Sequence, residues 1–149
     1  MKNILKDLRA GVLATLGLAA LLGPFSADAG TRNQSAPTSF SCPAPEHHDG
    51  DAIRCGSKAR SMRLYGIDAP EMPGACRPGR VCTPGDPIAA RDHLRSLTAG
   101  KTVSCRQVDR DRYGRAIVRC ISDGRDLSCV MVRDGFAVER YGRLDCAQR

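Results

Sequence analysis

The sequence predicts one domain of mixed α and β structure in which strands dominate. Short apolar segments alternate with turns rich in glycine, proline and aspartate, a pattern typical of strands. One segment near the middle has the caps and the apolar spacing of a helix. At 149 residues the chain has room for one domain, and its 15 glycines and nine prolines, with no tryptophan, indicate a loop-rich fold with a modest core.

The first 29 residues have the pattern of a cleaved export signal. A basic start precedes the apolar run Ala10–Leu22, and Ala27-Asp28-Ala29 is a small-residue cleavage site. The alternative is a membrane anchor, but the run is shorter than the roughly 20 apolar residues that a spanning helix needs. We therefore expect a signal peptide at 1–29, a flexible leader at 30–38 and the folded domain at 39–149.

All eight cysteines lie beyond the expected cleavage site, and an even number in an exported chain indicates disulfides. Eight thiols allow 105 pairings, so the sequence leaves the connectivity open. Zinc is the alternative, although the sequence has no C-x-x-C pair and no histidine at ligand spacing from a cysteine. The most local pairing joins Cys42 to Cys55, Cys76 to Cys82, Cys105 to Cys120, and Cys129 to Cys146.

The net charge of +7 falls to +6 when the three basic and two acidic residues of the signal peptide are removed. A basic mature domain favours polyanionic partners, among them nucleic acids. The charge is weak evidence alone, because cationic surfaces also serve solubility and adhesion.

The first elements of the domain are expected near Phe40. His47–Asp51 contains an Asp-Gly turn signal and leads into a short strand at Ala52–Cys55, so a hairpin is the simplest interpretation. Gly56–Arg60 is a second turn.

The stretch Met62–Glu71 is the one around which the site is organised. Arg63 and Asp68 are five residues apart, so a regular strand would point them to opposite faces. Both reach one site only if the strand bulges, and Gly66 is the natural place for a bulge. Because Ala69 precedes a proline, it is held extended, which would turn its carbonyl toward whatever Asp68 binds.

A surface loop at Met72–Gly85, rich in proline, glycine and arginine, follows this stretch. Asp86-Pro87 is an N-cap and first-turn pair for a helix that Gly100 terminates. Two strands at Lys101–Val108 and Ala116–Ile121 come next. A second, shorter helix is expected between the cap Asp126 and Gly135.

Three acidic groups are candidates for one site: Asp51, Asp68 and Glu71. Hard oxygen ligands of this kind suit Ca²⁺ or Mg²⁺ better than a soft metal. The carbonyl of Ala69 would add a ligand, and Glu71 would orient or deprotonate a water. The plainer interpretation is that Asp-Gly pairs form turns and that a strand-end aspartate is a solvated cap.

Arginines supply the other half of the candidate site. A guanidinium fork matches two phosphate oxygens and stabilises the charge that develops on phosphorus during attack. Arg63 and Arg115 are the candidates for this role. For Arg110 and Arg112, in the same mixed-sign loop as Arg115, we favour solvated positions.

Three motifs in order, together with a matching helix end, resemble the staphylococcal nuclease-like, or thermonuclease, family. Their similarity spans about residues 39–141, nearly all of the mature chain, and several motifs in order are more specific than any one. They are Asp49-Gly50-Asp51, the run Arg63-Leu64-Tyr65-Gly66-Ile67-Asp68-Ala69-Pro70-Glu71, Asp111-Arg112-Tyr113-Gly114-Arg115, and the helix end Met131-Val132-Arg133-Asp134-Gly135.

The resemblance implies an OB-fold five-stranded barrel with two or three packed helices. It also implies Ca²⁺-dependent cleavage of single-stranded or loosened DNA and RNA, typically yielding 3′-phosphates. Carried over by position, it assigns Asp51, Asp68 and the Ala69 carbonyl to Ca²⁺, Glu71 to the attacking water, and Arg63 and Arg115 to the phosphate.

Two features depart from the family pattern. Ala52 replaces a threonine that often follows the Asp-Gly-Asp turn, which removes a supporting hydroxyl. The cysteine-bearing loop between Cys76 and Cys82 is additional and would alter substrate access.

Three functions remain open from the sequence. The first is a periplasmic or secreted nuclease, a monomer with no stable membrane association after signal cleavage. The second is an OB-type module that binds nucleic acid without cutting it. The third is an exported, cysteine-rich interaction protein whose acidic turns have only a structural role.

Overall fold

The computed structural model of the protein describes residues 38–146, all of which belong to one compact unit. The expected signal peptide at 1–29 and the leader up to residue 37 lie outside the described residues. Neither helix in the described part has the length and apolar character needed to cross a bilayer.

Strands dominate the described residues, as predicted, and two helices accompany them. The elements in order are β1 Ser39–Pro43, β2 Ala52–Ile53, β3 Met62–Leu64, β4 Ile67–Asp68, α1 Pro87–Thr98, β5 Thr102–Arg110, β6 Ala116–Ser122, β7 Arg125–Asp126, α2 Leu127–Arg133 and β8 Val138–Glu139.

The main sheet has the strand order β1-β5-β6-β3-β2, with β7 also paired to β6 and with β4 and β8 forming a separate pair. The β3–β6 pairing is parallel, and the other pairings are antiparallel. Mixed α and β structure is therefore confirmed. Within residues 38–146 the pairings do not close into the five-stranded ring that the resemblance implied.

The hairpin expected across the His47–Asp51 turn is reduced to one antiparallel bridge, between Glu46 and Arg54, and β1 is not its first strand. β1 pairs along its whole length with β5, which places Cys42 opposite Val103, and both side chains are fully buried. The predicted strand Ala52–Cys55 is reduced to β2, and a single bridge between Glu46 and Arg54 continues it. Burial of the apolar face of β1 therefore outweighs the local turn signal.

The core lies between the inner face of β5 and β6 and the two helices. Alternation on the strands and helical spacing on α1 and α2 bring apolar side chains to one side, as the sequence patterns predicted. Its buried members include Leu64, Ile67, Leu94, Val103, Val118, Leu127 and Met131.

Both helices begin at the predicted caps. The side chain of Asp86 accepts hydrogen bonds from the backbone N–H groups of Ile88 and Ala89, and Pro87 opens α1. The side chain of Asp126 caps α2 in the same way. These contacts satisfy donors that have no partner inside the helix.

The irregularity expected at Gly66 is present, but it is a turn and not a bulge. Gly66 has φ +78°, and the chain divides there into β3, which joins the main sheet, and β4, which pairs with β8. The left-handed conformation reverses the direction of the backbone at little cost for glycine. The turn therefore brings Arg63 and Asp68 together, which the predicted site needs.

The cysteines form the local disulfides that the sequence favoured. Each described cysteine is paired, and the Cys76–Cys82 bond closes the surface loop between β4 and α1. The pairs are Cys42–Cys55, Cys76–Cys82, Cys105–Cys120 and Cys129–Cys146.

Candidate active site

Three of the predicted site residues meet around one guanidinium nitrogen. Nη2 of Arg63 lies 2.5 Å from Oδ2 of Asp51 and 3.5 Å from Oδ1 of Asp68. Arg63 stands opposite Ala52 in the β2–β3 pair, which brings it beside Asp51. The end of β4 delivers Asp68 from the other side of the Gly66 turn. Two buried carboxylates thus face each other across one positive charge.

Asp51 is held in a tightly packed turn against α1. A Cβ placed on Gly50 would lie 2.8 Å from Cβ of Ala90 and 2.9 Å from Cβ of Ala69, so only glycine fits there. The backbone N–H of Ala69 donates to Oδ2 of Asp51 at 3.1 Å, while Oδ1 is buried with no hydrogen-bond partner within the described chain. Burial raises the pKa of Asp51 well above its ordinary value, although the Arg63 charge opposes it.

Asp68 has the opposite electrostatic environment. Its side chain is fully buried and accepts hydrogen bonds from Thr83 at 2.6 Å, Arg80 at 2.7 Å and Arg140 at 2.9 Å. Burial raises the pKa of Asp68, but these hydrogen bonds and the Arg80 charge together lower it below its ordinary value. Asp68 is therefore an anion held by surrounding cations.

Arg80 connects the second and third predicted carboxylates. Its Nη1 donates to Oε1 of Glu71 at 2.7 Å, and its Nη2 donates to Oδ1 of Asp68 at 2.7 Å. The hydroxyl of Tyr141 lies 3.1 Å from the same Nη2. The disulfide-closed loop that carries Arg80 therefore reaches into the site.

Arg80, Thr83 and Arg140 were not among the predicted site residues. Arg80 and Thr83 lie in a loop without apolar periodicity, and Arg140 is 72 positions from Asp68. The one signal in the sequence was the spacing of Cys76 and Cys82, which closes the loop immediately after Glu71.

Arg115 lies at the edge of this group. Its Nε donates to Oδ2 of Asp111 at 2.6 Å, and its guanidinium carbon lies 5.7 Å from the centre of the Tyr113 ring. It forms no ion pair with Asp51, Asp68 or Glu71 in the described structure.

A groove of about 590 Å³ nevertheless connects Arg115 with the Asp-Gly-Asp turn. Arg115 and Asp49 both line it, and Oδ2 of Asp49 is 3.9 Å from Nη1 of Arg63. A ligand in this groove would contact Arg115 and Asp49, and Asp49 in turn lies beside Arg63.

The donor chemistry of the site fits a hard divalent cation. Asp51 and Asp68 offer carboxylate oxygens, and Oδ1 of Asp51 is a buried acceptor without a donor in the described chain. Residues 38–146 contain no group of three acidic, histidine or cysteine side chains already close enough to hold an ion. Guanidinium groups occupy the space between the carboxylates, so a cation would compete with Arg63 and Arg80 for the same oxygens.

The chain is similar in sequence to proteins named as endonucleases. Residues 61–148 match the sequence model of a family described as staphylococcal nuclease homologue. An uncharacterized endonuclease of Escherichia coli O157:H7 is 40% identical over 92 residues, and the probable endonuclease LCL3 of Yarrowia lipolytica is 33% identical over 93 residues. Each match covers 60% of this chain, with 54% of the Escherichia protein and 39% of the Yarrowia protein. The chain thus spans about half or less of the length of these relatives.

Proposed function

The chain belongs to the staphylococcal nuclease homologue family, and from this membership we propose that it is an exported, Ca²⁺-dependent nuclease acting on DNA, RNA or both. The observation that carries the proposal is the single nitrogen of Arg63 that contacts the carboxylates of both Asp51 and Asp68. Two facing carboxylates beside a guanidinium fork combine a cation site with a phosphate site.

In this proposal, Asp51, Asp68 and the carbonyl of Ala69 hold the divalent ion. The unpartnered Oδ1 of Asp51 supports its assignment as a ligand, because a buried carboxylate oxygen without a donor is costly. When bound, Ca²⁺ supplies Lewis-acid stabilisation of charge on a phosphoryl oxygen.

The chain's own residues do the rest of the chemistry. Arg63 and Arg115 donate to the phosphoryl oxygens and stabilise the charge that grows on them during attack. Glu71 accepts a hydrogen bond from a water molecule and orients its oxygen toward phosphorus. The new bond joins that oxygen to phosphorus while the bond to the 5′ oxygen breaks. The water proton passes to solvent, the 5′ oxygen takes up a proton, and a 3′-phosphate remains.

The contacts of Arg80 support a second candidate function. With Arg80 bound to both Asp68 and Glu71, the site resembles a neutralised ion-pair network, which suits a module that binds nucleic acid without cutting it. The presence of Asp51, Arg63 and Arg115 favours the enzyme, because a binding module has no use for the complete set.

Architecture and location belong to the same proposal. We propose that the fold is of the family's five-stranded OB type, with the ring left open where the described pairings do not join the strands. Disulfides persist in oxidising compartments, so four of them support a periplasmic or secreted location. We further propose that the exported protein acts as a monomer free of the membrane.

Incubation of the purified mature protein with single-stranded DNA or RNA, in Ca²⁺ or in chelator, tests the proposal. Cutting that requires Ca²⁺ and is lost in Arg63→Ala supports it, with exposed Arg60→Ala as the matched control. Binding without cutting supports the second candidate. If the protein neither binds nor cuts nucleic acid, both candidate functions are wrong.

A further inference from the structure

A second basic groove, away from the carboxylates, lies beside the outer face of β6. Its volume is about 440 Å³, and the lining comes from β5, β6, β7, α2 and the tail that the Cys129–Cys146 disulfide ties to α2. Four arginines border it: Arg106, Arg119, Arg125 and Arg133. We call this surface the arginine groove.

The positive charge of the arginine groove is only partly matched inside the protein. Arg106 and Arg119 are direct cross-strand partners in the β5–β6 pair, an arrangement in which like charges repel. Arg106 and Arg125 are exposed and form no ion pair within residues 38–146. An anion bound there would relieve the repulsion.

The acidic residues that line the groove do not cancel the positive charge of its arginines. Asp126 is 4.0 Å from Arg119, but its other oxygen caps α2 by accepting from Ser128 and Cys129. Asp145 also borders the groove. Arg133 pairs with Asp134 at 2.9 Å, so part of its charge is already matched.

Strand register places the arginine groove on the same face of the sheet as the candidate active site. In the parallel β3–β6 pair, Arg63 is the partner of Ile117, and partners in register share a face. Ile117 and Arg119 are alternate residues of β6 and therefore share that face, and Arg115 immediately precedes the strand. At about 3.3 Å per residue, Ile117 and Arg119 are roughly 7 Å apart along β6, so Arg119 lies one strand repeat beyond the residue that Arg63 pairs with.

Tyr65 physically connects the two regions. The guanidinium of Arg119 lies 4.1 Å from the centre of the Tyr65 ring, close enough for a cation–π contact. Tyr65 belongs to the turn between β3 and β4, which delivers Asp68 to the site. A linear polyanion engaged by Arg63 and Arg115 can therefore continue past Tyr65 to Arg119 and Arg106.

We propose that the arginine groove is a second binding site for the phosphate backbone of single-stranded nucleic acid, continuous with the site of cleavage. The inference rests on the proposed function, because it takes the substrate of that site as the ligand. Arg106 and Arg125 contact phosphates of the strand beyond the scissile bond. The groove then adds affinity for long strands and none for a dinucleotide.

The experiment measures binding in the presence of a chelator, which separates binding from cutting. The mature chain, Arg106→Gln/Arg125→Gln and the control Lys58→Gln/Arg60→Gln are titrated into a long fluorescent single-stranded oligonucleotide at several salt concentrations. The control removes the same charge from an exposed turn outside the groove. Thermal unfolding of each variant confirms that its fold is intact.

We expect the groove variant to bind the long strand about tenfold more weakly than the control variant does. The slope of log K against log salt should be shallower by about 1.4 for the groove variant. Two arginines are removed, and each phosphate contact on a single strand contributes about 0.7 to this slope. Equal affinities or equal slopes for the two variants would overturn the inference.

Cleavage of a dinucleotide in Ca²⁺ provides the separate test of the enzyme. If the groove variant cuts the dinucleotide at the rate of the unmodified chain while binding the long strand more weakly, the groove is supported. If the unmodified chain cuts neither the dinucleotide nor the long strand in Ca²⁺, but the groove variant still loses affinity, the nuclease proposal fails and the groove remains supported.

Discussion

Arg80 donates through Nη2 to Oδ1 of Asp68 at 2.7 Å, and its other terminal nitrogen reaches Glu71 at the same distance. The Asp68 side chain is fully buried, so this bond lies where solvent screens charge weakly. Arg80 acts in this arrangement as an internal cation for two of the three predicted carboxylates. A divalent ion that binds Asp68, as we propose, would compete with Arg80.

Arg80→Ala is therefore expected to increase the affinity of the protein for Ca²⁺. Removing one positive charge from two carboxylates frees their oxygens and removes a repulsion toward the ion. We expect the dissociation constant to fall about tenfold, which corresponds to about 1.4 kcal/mol. Isothermal titration calorimetry with Ca²⁺, in the absence of nucleic acid, measures the change.

Arg77→Ala is the matched control for this prediction. Arg77 lies in the same disulfide-closed loop, but it donates to the hydroxyl of Tyr113 and contacts no carboxylate of the site in the described structure. Its Ca²⁺ affinity should equal that of the unmodified protein. Unchanged or weaker Ca²⁺ binding by Arg80→Ala would show that Arg80 does not compete with the ion.

Gly66→Ala is expected to destabilise the fold. At φ +78° an alanine pays about 1–2 kcal/mol, and its Cβ would lie 2.7 Å from Cδ2 of Leu144 and 3.2 Å from the Gly142 carbonyl oxygen. We expect a loss of roughly 2–3 kcal/mol in the free energy of unfolding, measured by urea denaturation.

Gly100→Ala separates the two contributions in that prediction. Gly100 has φ +67°, but a Cβ added there meets nothing within 4 Å. Gly100→Ala should therefore lose only the part of the stability that comes from placing an alanine at positive φ. If the two variants lose equal stability, the packing of Leu144 against the Gly66 turn makes no contribution.

The local features of this fold could be predicted from the sequence because each depends on neighbouring residues. Asp86 and Asp126 cap helices through contacts within three positions, and the break at Gly66 follows from its backbone freedom. The nearest-neighbour disulfides formed because short loops keep their cysteines close. Arg63 and Asp68 lie close together for a local reason too, because only the Gly66 turn separates them.

Long-range partners could not be predicted in this way. The pairing of β1 with β5 depends on burying Cys42 against Val103, and no turn signal encodes it. Arg140 reaches Asp68 across the fold, and Arg80 does so from a loop without periodicity. The charge network at Asp68 is consequently a property of the tertiary structure.

His47 is a buried imidazole beneath the Asp-Gly-Asp turn. Its Nδ1 donates to the Ala52 carbonyl at 3.0 Å, so Nε2 accepts from the hydroxyl of Thr98 at 2.8 Å. Burial lowers the pKa of His47 below 6.5, the Ala52 carbonyl and Asp49 oppose the shift, and the Arg95 charge adds to it. The folded protein thus favours the neutral ring.

This pKa shift predicts a loss of stability in mild acid. Above pH 6.5, His47 is neutral in the folded and the unfolded protein, and its contribution to stability is fully present. Below pH 6.5, His47 is protonated in the unfolded chain before it is protonated in the folded protein. The free energy of unfolding should therefore fall as the pH drops below 6.5. Urea titrations across this range should show a smaller fall for His47→Gln than for His48→Gln, the exposed neighbour. Identical slopes would exclude His47 as the cause.

Arg115 is expected to act through the geometry of its fork and not through its charge alone. Asp111 already orients it by accepting from its Nε at 2.6 Å, which leaves the two terminal nitrogens for a phosphate. Arg115→Ala should lower Ca²⁺-dependent cleavage by about 10²–10³-fold, and Arg115→Lys should recover only a small part of the rate. Arg112→Ala, which removes the same charge from the same turn, is the control and should cut normally. Thermal unfolding should show both alanine variants folded, and an unchanged rate in Arg115→Ala would reject the phosphate-clamp role.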